Sequence, residues 1–185
     1  MKLHGWQYEK IKTTVADLFE TISIDHFPVV GFEVAHKLGI RLMPYSAFDN
    51  DLKALALLTS DDAFSTRNPQ GQWVICYNDE INSYGRQNFS IMHEIGHIVM
   101  QRNFCEDEDE AFADFFACYA LAGSPALHLF QPKQAEDIEH LCSISHEMAC
   151  NAFIRYQKWL SHVRWHNNGL TEPERKLMTL FAKTA

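Results

Sequence analysis

The 185-residue chain is poor in the features that would make it anything other than a globular protein. No apolar run approaches the roughly 18 residues that a membrane helix requires, so a bilayer span is not expected. The opening stretch, MKLHGWQYEK, has no apolar core of the kind a secretory leader carries. Cysteines number only five, an odd count without a Cys-x-x-Cys pair, which suits reduced thiols in a cytoplasm better than a disulfide framework. There is no low-complexity linker and no internal repeat. Basic residues are also scarce: 16 against 24 acidic, a net charge of -8. An acidic body is a poor partner for a polyanion, so nucleic acid is not the expected ligand. The imbalance is uneven, with -12 over residues 1–150 and +4 over 151–185. The basic end reads as a solvated terminal helix.

What is present is a good core supply. Hydrophobic residues make up 46% of the chain and charged residues 22%, enough for a single domain without covalent staples. Ile11, Val15, Leu18, Phe19 and Ile22 fall at helical spacing within 8–25. A short helix is expected after Pro28, ending at Gly39. Residues 40–44 and 72–78 (QWVICYN) predict strands, with a turn at Asn68-Pro69-Gln70-Gly71 between. Residues 54–59 (ALALLT) fit a strand or a helical turn; read as a strand, the favoured reading, they give a small antiparallel sheet of about three strands. Helices are expected over 88–102, 107–122, 133–142, 145–160 and 172–183, with Gly123-Ser124-Pro125 as a break. The fold class is therefore α+β, mainly helical. The expected division is one domain over 1–185, with a core at about 28–125 and a helical C-terminal part at 126–185.

The chemistry is concentrated at His93-Glu94-Ile95-Gly96-His97. Histidines four apart on a helix lie on one face, one turn apart, and can share a metal ion. The intervening Glu94 reaches the space beside that ion, where it can act as general base. The surrounding Ile91, Met92, Ile95, Ile98 and Val99 make the helix strongly apolar. Imidazoles carried there need partners, since unpaired polar groups are costly to bury. A catalytic Zn2+ needs a third protein ligand and an open position. Glu110 and Asp114, also four apart, are the candidates: Glu110 as ligand, Asp114 as acceptor of a hydrogen bond from a ligand histidine. Glu106, Asp107, Glu108 and Asp109 compete with Glu110 but suit the dipole at a helix N-terminus. Ala111, Ala113, Ala117 and Gly96 are small enough to let two helices approach closely.

In these residues and those flanking them, the sequence resembles the ImmA/IrrE family of zinc metallopeptidases. The likeness runs from Leu38-Gly39-Ile40 through Trp73-Val74-Ile75-Cys76-Tyr77-Asn78 and Arg86-Gln87-Asn88-Phe89-Ser90 to the histidine motif. It continues into Glu110-x-x-Ala113-Asp114-x-Phe116-Ala117, with a weaker echo at Ile144-Ser145-His146-Glu147-Met148-Ala149. It covers about residues 28–160. The resemblance implies His93, His97 and Glu110 as Zn2+ ligands, Glu94 as catalytic residue, a minimal zincin core, and a regulatory protein as substrate, often a helix-turn-helix repressor. One departure is the exit of the third-ligand helix, here Tyr119-Ala120-Leu121-Ala122-Gly123-Ser124-Pro125.

Several assignments stay open at this level. Tyr119, His128, His146 and Arg86 are candidates for stabilising an oxyanion. An extended substrate would add a strand to the sheet, with residues 72–78 as the expected edge. Cys105, between the two metal motifs, could cap the metal; Cys76, Cys118, Cys142 and Cys150 read as core, as do Phe112, Phe115, Phe116 and Tyr119. Residues 133–160 have helix-turn-helix spacing. Their charged residues, Lys133, Arg155 and Lys158 against Glu136, Asp137, Glu139 and Glu147, are ill-suited to phosphates. A third reading is a metal-bound regulatory or partner-binding protein without turnover.

Overall fold

The architecture is taken from a computed structural model, which describes residues 3–100, 106–165 and 169–182. In chain order it has α1 (Gly5–Thr21), α2 (Gly31–Lys37), β1 (Arg41–Pro44), a 3-10 turn (Tyr45–Ala47), α3 (Asn50–Thr59), β2 (Ala63–Arg67) and β3 (Trp73–Tyr77). Then follow α4 (Tyr84–Met100), α5 (Glu106–Ala122), α6 (Ser124–Phe130), α7 (Ala135–Cys142), α8 (His146–Trp165) and α9 (Glu172–Phe181). The class is α+β, as expected. No helix among the described residues is long and apolar enough to cross a membrane.

The sheet is mixed rather than antiparallel throughout. Its order is β1-β3-β2, with β1 parallel and β2 antiparallel to β3. β3 is thus the central strand, not the edge, and its apolar run is what burial on both faces demands. On one face Val74 and Cys76 pack with Tyr45 and Ala56 in a small cluster. On the other, Ile75 joins the main core with Ile91, Ile95 and Phe116. β2 forms a hairpin with β3 through a loop closed by Asn68 N–H to Gln72 O (3.0 Å), with Gly71 at φ +80°.

Residues 54–59 are helical, correcting the strand expected there. Asp49 caps α3 by accepting from the Leu52 N–H at 2.9 Å, and alanine and leucine are strong helix formers. Gly123-Ser124-Pro125 ends α5 but also opens α6, with proline in its first turn. α2 begins at Gly31, and Pro28 lies ahead of it in a cis Phe27-Pro28 bond.

α4 and α5 form the most extensive helix pair among the described residues. Gly96 allows this: a Cβ there would stand 3.2 Å from Ala113 Cα and 3.1 Å from Phe116 Cδ1. α1 packs on α5 and α9. Phe112, Phe116 and Tyr119 are core residues, and half-buried Phe115 meets Tyr8 edge-on at 4.6 Å.

Candidate metal centre

α4 passes beneath β2, and the space between them, closed at one end by α5, is a cleft of about 760 Å³. His93, Glu94, His97, Glu110 and Asp114 all line it, opposite Ala63, Phe64 and Ser65 of β2. The residues brought together by local sequence spacing on α4 therefore meet those brought by helix packing from α5.

Three side chains converge. His93 Nε2 and His97 Nε2 are 3.1 Å apart. Glu110 places Oε2 3.2 Å from His93 Nε2 and Oε1 3.4 Å from His97 Nε2. A tetrahedral ion with ligand bonds of about 2.0–2.1 Å has ligands about 3.3–3.4 Å apart along each edge. The donor spacing thus fits a single small divalent cation. His93 Nδ1–H donates to Asp114 Oδ1 at 3.0 Å. That bond fixes the tautomer in which Nε2 turns its lone pair towards the other two donors. Burial draws the His93 pKa down, but the Asp114 bond and the carboxylates of Glu94 and Glu110 outweigh it, and the net direction is up.

Glu94 Oε, His93 and His97 also bring ligand atoms within 4.8 Å of one another, a second grouping able to hold a metal. Glu94 lines the cleft opposite Ser65 of β2. Burial raises its pKa; the Ser65 hydroxyl, which donates to the carboxylate, and the two imidazoles pull it part of the way back, and Glu110 adds to the rise. The result is a half-buried carboxyl with raised proton affinity facing the cleft, the condition a general base near neutral pH needs.

The competitors of Glu110 are placed elsewhere where they are described. Glu108 binds Gln7 Nε2 on α1, and Asp109 does not line the cleft but a second small cavity, with Gly96, His97 and Met100. The side chains of Glu106 and Asp107, and all of Cys105, lie outside the described residues. Tyr119, His128 and His146 do not line the cleft, which corrects their candidacy as oxyanion donors. Tyr119 is buried between α5 and α1, its hydroxyl pKa raised by burial. His128 contacts the Tyr156 hydroxyl at 3.1 Å, and His146 pairs with Glu139 at 2.7 Å on the exposed start of α8. Arg86 does reach the cleft, where its guanidinium clamps Asp62 at 2.6 and 3.0 Å. Cys76 and Cys142 are core, as expected, with burial pushing Cys142 up to about 12. Cys118 is half-buried beside Arg155, and Cys150 sits 3.5 Å from His146.

The residue that sequence reasoning missed is Ser65. It lies on β2, a five-residue strand whose last three residues, Ser65-Thr66-Arg67, are polar and give little apolar signal. The turn at Asn68–Gly71 before a strong strand was the available clue, since a hairpin needs a partner upstream.

The IrrE N-terminal-like domain model of the Peptidase M78 family matches residues 35–153, more than half of the chain. The chain belongs to this peptidase family. The match runs from α2 into α8 and spans every cleft-lining side chain named above. No curated protein matches the sequence. For a member of a peptidase family, a His-Glu-His group and a facing carboxylate in an open cleft support a metallopeptidase type of chemistry.

Proposed function

We propose that the protein is a Zn2+-dependent metalloendopeptidase that hydrolyses a peptide bond in a regulatory protein, of the helix-turn-helix repressor kind that the family resemblance implies. The observation that carries this reading is the mutual spacing of His93, His97 and Glu110, with Glu94 lining the same cleft. His93, His97 and Glu110 would hold the ion, and Asp114 would fix the orientation of His93. A divalent cation held there supplies Lewis acidity, polarising a carbonyl and lowering the pKa of water.

The chain's own residues divide the remaining work. Glu94 takes a proton from the attacking water as its oxygen bonds to the carbonyl carbon. It then returns that proton to the nitrogen as the C–N bond breaks, so the carboxylate is regenerated. The substrate backbone lies along β2, the exposed edge on the cleft side, in place of the edge expected at 72–78. Of the oxyanion candidates considered from sequence, Arg86 is the one that lines the cleft, where it is paired with Asp62.

Glu94→Gln tests the reading. The amide keeps the size of the side chain but cannot take the proton, so metal content should be unchanged and cleavage of a matched repressor abolished. Hydrolysis retained in that variant would remove Glu94 from the mechanism.

A further inference from the structure

α3 is a helix on the wall of the cleft that buries almost nothing. Ala56 packs on Tyr45, Val74 and Cys76, and the rest of its apolar side chains face outward. Leu52, Leu55 and Leu58 are 53%, 60% and 86% exposed. At about 100° per residue, successive members of this i, i+3, i+6 series step round the helix by about 60°, so the three form one continuous arc. Leu57, also exposed, flanks it. The other large exposed apolar residues, Trp6, Tyr84 and Ile154, are scattered on three different helices. Single exposed apolar residues are ordinary, but a contiguous patch marks an interaction surface.

The rim of the patch has one sign. Residues 49–62 carry Asp49, Asp51, Asp61 and Asp62 against Lys53 alone; Lys53 is paired with Glu80 and Asp62 with Arg86, each at 2.6 Å, which leaves Asp49, Asp51 and Asp61 as the charge of the rim. The far end of α3 runs into Thr59 and Ser60, which line the cleft that holds His93 and Glu94. α3 therefore ends at the rim of the cleft, one residue beyond Leu58. A second copy of the chain is a poor occupant, because two such rims would meet with like charges.

We propose that the α3 leucine face docks a cationic amphipathic helix of the protein substrate. Apolar side chains of that helix cover Leu55 and Leu58, and its lysines and arginines meet the aspartate rim. The neighbouring chain is thereby delivered into the cleft along β2. The delivery step rests on the peptidase reading above; the docking step does not.

The test is fluorescence anisotropy with a labelled synthetic peptide of lysines and leucines, the leucines at i, i+3, i+4 and i+7, on Glu94→Gln protein so that turnover cannot interfere. A companion peptide replaces every lysine with glutamate. The lysine/leucine peptide should bind, the glutamate companion should bind at least about tenfold more weakly, and Leu55→Ser with Leu58→Ser should weaken the first peptide by about tenfold, the loss of about 1.4 kcal/mol. Both leucines are exposed, so the double variant keeps the fold; an unchanged thermal transition verifies this. Equal affinity for the double variant, or equal binding of the two peptides, would overturn the proposal. So would a dimer in sedimentation that the double variant dissolves, which would make the occupant a second copy. The readout needs no catalysis: absent hydrolysis of any substrate would sink the peptidase reading and leave the docking result standing.

Discussion

Gly96→Ala perturbs the metal centre without touching a ligand. Alanine gains about 1 kcal/mol of helix propensity over glycine inside α4. Against that, its methyl would lie 3.2 Å from the Ala113 backbone and 3.1 and 3.3 Å from the Phe116 ring and Cβ. α5 is packed in the main core and must retreat by a few tenths of an ångström, an overpacking cost of about 1–3 kcal/mol. The net expectation is destabilisation of about 1 kcal/mol. The retreat also moves Glu110, one helical turn before Ala113, away from the two imidazoles. Ligand distances tolerate only about 0.2 Å, so metal affinity should fall by about tenfold, or about 1.4 kcal/mol. Urea denaturation of the metal-free protein and competition with a Zn2+ indicator read the two effects separately. A variant about 1 kcal/mol more stable than wild type, with unchanged affinity, would refute the claim that this close approach positions Glu110.

Asp114→Asn keeps the shape but removes the charge that holds His93 Nδ1–H, and metal affinity should drop by about 10–100-fold in the same competition assay. Tyr119→Phe lies off the cleft and should leave kcat and KM unchanged; a selective loss of kcat would return Tyr119 to the mechanism. Glu174→Gln should destabilise the fold by about 2–3 kcal/mol at neutral pH, measured by urea denaturation, because the buried carboxylate accepts from Thr171 N–H, Trp159 Nε1–H and Lys12. Burial raises that carboxyl's pKa, but these donors and the Lys12 charge outweigh it, and the net direction is down. Its stabilisation is therefore present above the ordinary glutamate value of about 4.3 and lost as pH falls through the lower folded value. The variant should lack that part of the acid sensitivity.

The site was legible because its spacing is local. His93, Glu94 and His97 sit within two turns of one helix, and Glu110 and Asp114 repeat the four-residue interval on the next. The helices with strong 3.6-residue periodicity were readable to within a few residues at most ends. α3 was misread because a six-residue apolar run has no decisive period; the Asp49 cap and the alanine-leucine composition carried the answer. β1 pairing parallel to β3 is a long-range choice, made by a crossover through α3 that no local pattern encodes. Ser65 has no signal of its own: the turn at Asn68–Gly71 points to a hairpin partner upstream, but that this strand lies over α4 is again a long-range choice. Tyr119, His128 and His146 were named by chemical type alone, and only packing could show that they face other parts of the molecule.

The central claim is that His93, His97 and Glu110 share one ion while Glu94 does not bind it. Anomalous diffraction from crystals grown with Zn2+ tests it most directly. The account predicts a single peak about 2.0–2.2 Å from His93 Nε2, His97 Nε2 and a Glu110 oxygen, with Glu94 more distant. No peak at this point, or a peak bound by Glu94 with Glu110 turned to solvent, would contradict it.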